Sequence, residues 1–141
     1  MAMTAVSPVA GASNVAAKIG AVFFVLWGLL HLYAAKATHA FVQPMPSGGT
    51  RGRLMELVLI MLLAGLIAVV VGAWLNWKNS SIGYWINVTV LSVVDIGFVF
   101  GVLLPGYAPM IPGALGPLLW IVALVFSTVG CLQPSQRAPE L

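Results

Sequence analysis

Three ionisable side chains stand where so apolar a chain has few to spare: Asp95 inside LSVVDIGFVF, His31 inside FFVLWGLLHLY and Glu56 inside RGRLMELV. A carboxyl group within a hydrocarbon-like stretch is costly, and such a residue is a functional-site hypothesis by default. The chemistry open to Asp95 is that of a general acid. A carboxyl group that keeps its proton can donate it, or a hydrogen bond, to a substrate oxygen. His31 could give or take a proton beside it, and Glu56 adds a second carboxyl group near a helix start. At about 100° per residue, Tyr84 falls about 20° from Asp95 around a helix and Ser92 about 60° away. Trp27, with Phe24 and Ala35, shares the His31 face. Asp95, His31 and Glu56 are therefore the candidate catalytic set, with Tyr84, Ser92, Trp27 and Phe98 as the candidate lining of a substrate site. Each catalytic candidate also has a plain structural reading. Asp95 and His31 could simply hydrogen-bond across a bundle, and Glu56 could pair with Arg53 where a helix dipole favours negative charge.

Other chemistries find no foothold. His31 and His39 are eight residues apart, about 12 Å along a helix, too far to chelate one ion. There is no Cys/His cluster and no HExxH, so no metal site is expected. Nucleophilic triads, phosphate loops and dinucleotide fingerprints are absent. No cofactor is expected, a haem on His31 alone being the one that the residues leave open. The single cysteine, Cys131, has no internal disulfide partner and reads as a packed thiol. Six basic residues with no run among them give nucleic acid nothing to bind.

The elements that must carry these side chains follow from composition. Of 141 residues, 61% are hydrophobic and 6% charged, with mean hydropathy +1.06. A soluble domain averages about 25% charged residues. Four apolar runs, at 15–37, 54–77, 82–104 and 114–132, each match the roughly 20 residues that a helix needs to cross a bilayer. Spanning segments must satisfy their own backbone, and these runs are continuous rather than alternating, which favours helices over a barrel. The expected fold is all-α: one domain over 1–141, an integral membrane bundle of four antiparallel transmembrane helices, in a bacterial inner membrane or its equivalent. Ala35-Lys36-Ala37 looks like a signal-peptide cleavage site, but Lys18 alone is a weak basic lead-in, so the first run is expected to stay as a helix. Basic residues divide three against three across the membrane and leave its orientation open.

The links and packing residues complete the expectation. HAFVQPMPSGGTRGR reads as a first link of about 15 residues and PGYAPMIPG as a stiff third link on the same membrane face. His31, Asp95 and Glu56 all fall in the half of the bilayer beneath them, and could converge on a pocket that opens there. Ala64, Ala68 and Gly72 repeat every four residues, and Gly97 and Gly101 form a GxxxG pair opposite Asp95, spacings that let membrane helices approach closely. Packing within the bundle and association into a homo-oligomer are both open to them.

The third and fourth runs, with Asp95-Ile96-Gly97-Phe98, Pro105-Gly106 and Gly116-Pro117, are similar in layout to the styrene oxide isomerases over roughly 60 residues. That resemblance implies a small four-span membrane protein acting on a lipophilic molecule. Those enzymes bind haem through a histidine near the start of the second helix. Here that region reads RGRLMELV, without histidine, so neither haem nor any functional residue is carried over. The function expected from the residues is a small membrane enzyme whose partners are the bilayer and a lipophilic small molecule. It would perform an acid-catalysed isomerisation, ring opening or cyclisation with Asp95 as proton donor. The alternative is a non-catalytic accessory subunit or lipophile-binding protein of a membrane complex, with a proton-linked transporter or channel behind both.

Overall fold

In a computed structural model, which describes residues 10–132, α1 runs unbroken from Ala10 to Val42. It passes straight through Ala35-Lys36-Ala37 and outruns its expected end at residue 37. The helix stops at Val42 because Gln43 precedes Pro44, and the residue before a proline is disfavoured from helical geometry. Helix α2 spans Gly49–Trp74, beginning five residues earlier than expected. The first link is therefore residues 43–48 rather than fifteen, and Arg51 Nη1 donates to the Met45 carbonyl across it at 3.1 Å. His39, expected in a loop, lies on the last turn of α1, where Gln43 Nε2 donates to its Nε2 at 2.8 Å.

The second link is a 3₁₀ turn, Asn76–Lys78, closed by Asn79 in the left-handed region at φ 54°. Ser80 then caps α3, Ser81–Phe98, its hydroxyl accepting from the Gly83 N–H. The helix continues as one wide π turn, Val99–Leu103, in which the Leu104 N–H reaches the Val99 carbonyl at 2.8 Å. Pro105 has no N–H to give the Gly101 carbonyl, so a regular helix cannot continue there. A short turn, α4 at Met110–Gly113, leads into α5, Leu115–Leu132.

Among the described residues, four helices are long and apolar enough to cross a membrane: Val15–Val42, Gly49–Lys78, Ser81–Leu103 and Leu115–Leu132. α1 packs against α2 and α5, and α3 packs against the same two, so the four form a ring with α1 and α3 on one diagonal. The α1–α2 crossing is closest at two glycines. A methyl group on Gly28 would lie 2.7 Å from the Gly65 carbonyl oxygen, and one on Gly65 would lie 2.9 Å from that of Gly28. Ala64, Ala68 and Gly72 are buried in this same seam. Phe24, Trp27, Ala64, Ala68, Leu91 and Ala123 form the core.

Outward faces stay apolar, with Leu63, Val70, Val93 and Phe100 all more than half exposed. A soluble monomer rarely shows that much contiguous apolar surface, whereas a lipid-facing helix must. Gly97 and Gly101 lie on this outer side, where an added methyl group meets nothing within 4 Å. They do not pack inside the bundle. Cys131 is likewise exposed rather than packed, because the end of α5 turns it outward. At one end of the ring Lys18 sits 5.5 Å above Trp77 and Lys78 sits 5.7 Å above Trp74, the aromatic and basic pairing typical of a membrane interface.

Candidate functional site

Asp95 is 1% exposed and points into the middle of the ring. Its face of α3 is set by four-residue spacing, since Gly83, Asn87, Leu91 and Asp95 are the buried positions of that helix. Across the diagonal, Trp27 of α1 has no exposed surface, and its Nε1–H donates to Asp95 Oδ2 at 2.7 Å. The bond joins α1 to α3 across the ring, above a core that Phe24 and Trp27 of α1 share with Leu91 of α3.

His31 lies one turn beyond Trp27 and stacks on the indole with ring centroids 3.5 Å apart and planes 21° from parallel. Its Nδ1–H donates to the Trp27 carbonyl at 3.0 Å. In the neutral ring this leaves Nε2 as the acceptor. The third wall is Gly116 on the first turn of α5. A methyl group placed there would sit 3.4 Å from His31 Cε1 and 3.7 Å from Asp95 Oδ1. Those are ordinary contact distances, so hydrogen at this position leaves a space of about one methyl group between imidazole and carboxyl. Acid, indole and imidazole therefore meet in one place, with one carboxyl oxygen held and the other turned to a bare stretch of backbone.

The other sequence candidates are placed elsewhere. Glu56 is exposed on α2 and pairs with Arg53 at 2.9 Å, so it does not join Asp95. Tyr84 shares the Asp95 azimuth but lies eleven residues back, about 16 Å along the axis at 1.5 Å per residue. Its hydroxyl is 3.1 Å from Thr128 Oγ1 at the opposite end of the bundle. Ser92 accepts from Trp120 Nε1 at 3.2 Å, tying α3 to α5 one turn below the acid. Phe98 is half-buried and lies near Gly113, where the third link folds onto Leu103. Among the described residues, no three His, Cys, Asp or Glu side chains gather to hold a metal ion.

Two residues, Asn87 and Asn76, are absent from the sequence candidates, and two that the sequence does offer, Trp27 and Gly116, take roles it does not show. Trp27 was noted as lining, but its role as the donor to Asp95 depends on how the helices register. Gly116 is invisible until α5 is seen to touch both helices of the diagonal. Asn87 and Asn76 are uncharged and were not weighed, although Asn87 stands two turns before Asp95 on the same face. That spacing was the available signal.

Comparison with protein-family models, with curated proteins and with solved structures finds no match. The likeness to styrene oxide isomerases rests on the residues quoted for it. At the place where that family holds haem, this chain presents Glu56 on an exposed surface, paired with Arg53, and these residues do not fit a haem.

Proposed function

We propose that this chain is an integral membrane protein that binds a lipophilic small molecule between its helices and acts on it by proton donation from Asp95. Isomerisation, ring opening and cyclisation need one well-placed acid and no redox partner. The observation that carries this reading is the asymmetry of the Asp95 carboxyl group. Oδ2 is fixed by Trp27, while Oδ1 faces the space at Gly116 with His31 on its other side. Trp27 orients the acid, His31 offers Nε2 to accept a proton as the product leaves, and the apolar walls supply the affinity for a lipophile. The molecule would enter beneath the third link, where Phe98 and Gly116 lie.

Lipid-extracted and native mass spectrometry of the purified protein tests this directly. A lipophile should remain bound to the wild type and be lost from Gly116→Leu, whose side chain exceeds the methyl-sized gap between His31 and Asp95 and closes it. Equal retention by both proteins, or none by either, would overturn the reading. The outward Gly97 and Gly101 face favours a second reading, a subunit that assembles with copies of itself or with another membrane protein. On that reading, purification in mild detergent yields a stable partner that is lost from Gly97→Leu.

A further inference from the structure

Asn87 has no exposed surface, and neither its Oδ1 nor its Nδ2 meets a partner among the described residues. The Asn76 amide and the Ser127 hydroxyl, both almost fully buried, share that condition. Buried polar groups nearly always have a partner, whether protein or ordered water. The three are not scattered. The Tyr84–Thr128 and Trp120–Ser92 bonds register α3 against α5, which sets Asn87 across from residues 124–127. Ser127 abuts α1, because a methyl group on Gly20 would collide with its hydroxyl. One on Gly83, a turn before Asn87, would meet the Asn76 amide oxygen at 2.5 Å.

Along the bundle axis Asn76 and Ser127 stand at the outer end and Asn87 one helical turn inward of Gly83, a column of polar side chains in order of depth. At its outer end Ala17, Asn76, Asn79, Ser80, Tyr84 and Ser127 line a cavity of about 10 Å³, near the smallest that admits one water molecule. Past Asn87 comes Leu91, which has no exposed surface and fills the same face, and one turn further comes Asp95.

We propose that this column is a water-binding half-channel, entering from the Lys78 end of the bundle, reaching Asn87 and stopped there by Leu91. Water is the ligand class that fits. The groups are amides and hydroxyls without net charge, which can each donate and accept, and the space at the mouth suits a molecule of that size. The column brings exchangeable protons to within one side chain of Asp95. Its use in recharging that acid rests on the function proposed above, but the column itself does not.

The experiment is water-to-protein magnetisation transfer by NMR on the ¹⁵N-labelled full chain in lipid nanodiscs, with no lipophile added. The Asn87 side-chain amide of the wild type should receive magnetisation directly from water. Its absence there would overturn the proposal without recourse to any variant. The Trp27 indole N–H then reports on the far side of Leu91. Its exchange should rise about tenfold or more in Leu91→Ala, as expected when a barrier to local solvent access is removed, and fall back when Asn87→Leu is added. An unchanged rate in Leu91→Ala would show that Leu91 is no stop. A raised rate that Asn87→Leu fails to reverse would place the entry on the His31 side, and either result overturns the route. Because these readings need no lipophile, they stand or fall apart from the catalytic proposal.

Discussion

Among the described residues Asp95 is held by one side-chain bond, from Trp27, so its variants separate structure from chemistry. Asparagine keeps the shape and offers Trp27 an amide oxygen. Asp95→Asn should therefore leave unfolding within about 1 kcal/mol of wild type, the scale of one net hydrogen bond. Turnover, or lipophile-dependent proton uptake, should nevertheless be abolished. A fully active Asn variant makes the carboxyl group a bystander, and one that unfolds makes it a strut. Asp95→Leu tests the Trp27 bond itself. From the sequence alone, deleting a buried carboxyl group reads as relief, but the indole N–H would then be left without a partner. That should cost about 1–3 kcal/mol, read as a lowered midpoint in thermal unfolding in detergent. Trp27→Phe combined with Asp95→Leu should recover most of the loss. The acid and the histidine were legible in the sequence because ionisable residues stand out against an apolar background. Their partner was not, since a tryptophan in a hydrophobic run carries no mark of which helix it will face. Tyr84 marks a different limit: helical angle puts it on the Asp95 face, while axial distance puts it at the far end of the bundle beside Thr128.

The helices themselves were legible because each apolar run has the length and composition that suit a bilayer crossing, yet their ends were less so. Gly48, Gly49 and Gly52 read as breakers in water, whereas glycine is common in membrane helices, and here α2 begins among them. The π turn at Val99–Leu103 has no periodic signature at all and follows from Pro105 withholding an N–H. Small-residue repeats were recognised in the sequence, but not which way they would turn. That difference is measurable. Gly65→Val drives a side chain into the Gly28 carbonyl and should destabilise the bundle by about 3 kcal/mol, the upper range for overpacking. Gly97→Ala and Gly101→Ala enter open space and should change unfolding by less than about 0.5 kcal/mol, as surface substitutions do. If that face joins copies together, crosslinking between them falls in Gly97→Leu while the fold is kept.

At the scale of the whole molecule, the ring of four antiparallel helices places the first and third links at one end and the Asn76 turn at the other. With Cys131 replaced, single cysteines at Ser47 and Ala108 should react with an impermeant reagent from the same side of sealed vesicles, and one at Asn79 from the opposite side. Opposite labelling of Ser47 and Ala108 would end this topology. The diagonal bond has a further consequence, one of timing. A chain is delivered to the membrane N-terminal end first, so α1 and α2 can close on their paired glycines while α3 is still being made. Asp95 then arrives on a helix for which a carboxylate near the centre costs about 2.5–3.5 kcal/mol to insert, and Trp27 is already in place to receive it. The third helix should thus partition into the bilayer poorly when expressed alone behind a reporter. It should do so well when translated after the first two, and the benefit should shrink in Trp27→Phe. The order in which the helices are synthesised supplies the donor before the acid that needs it.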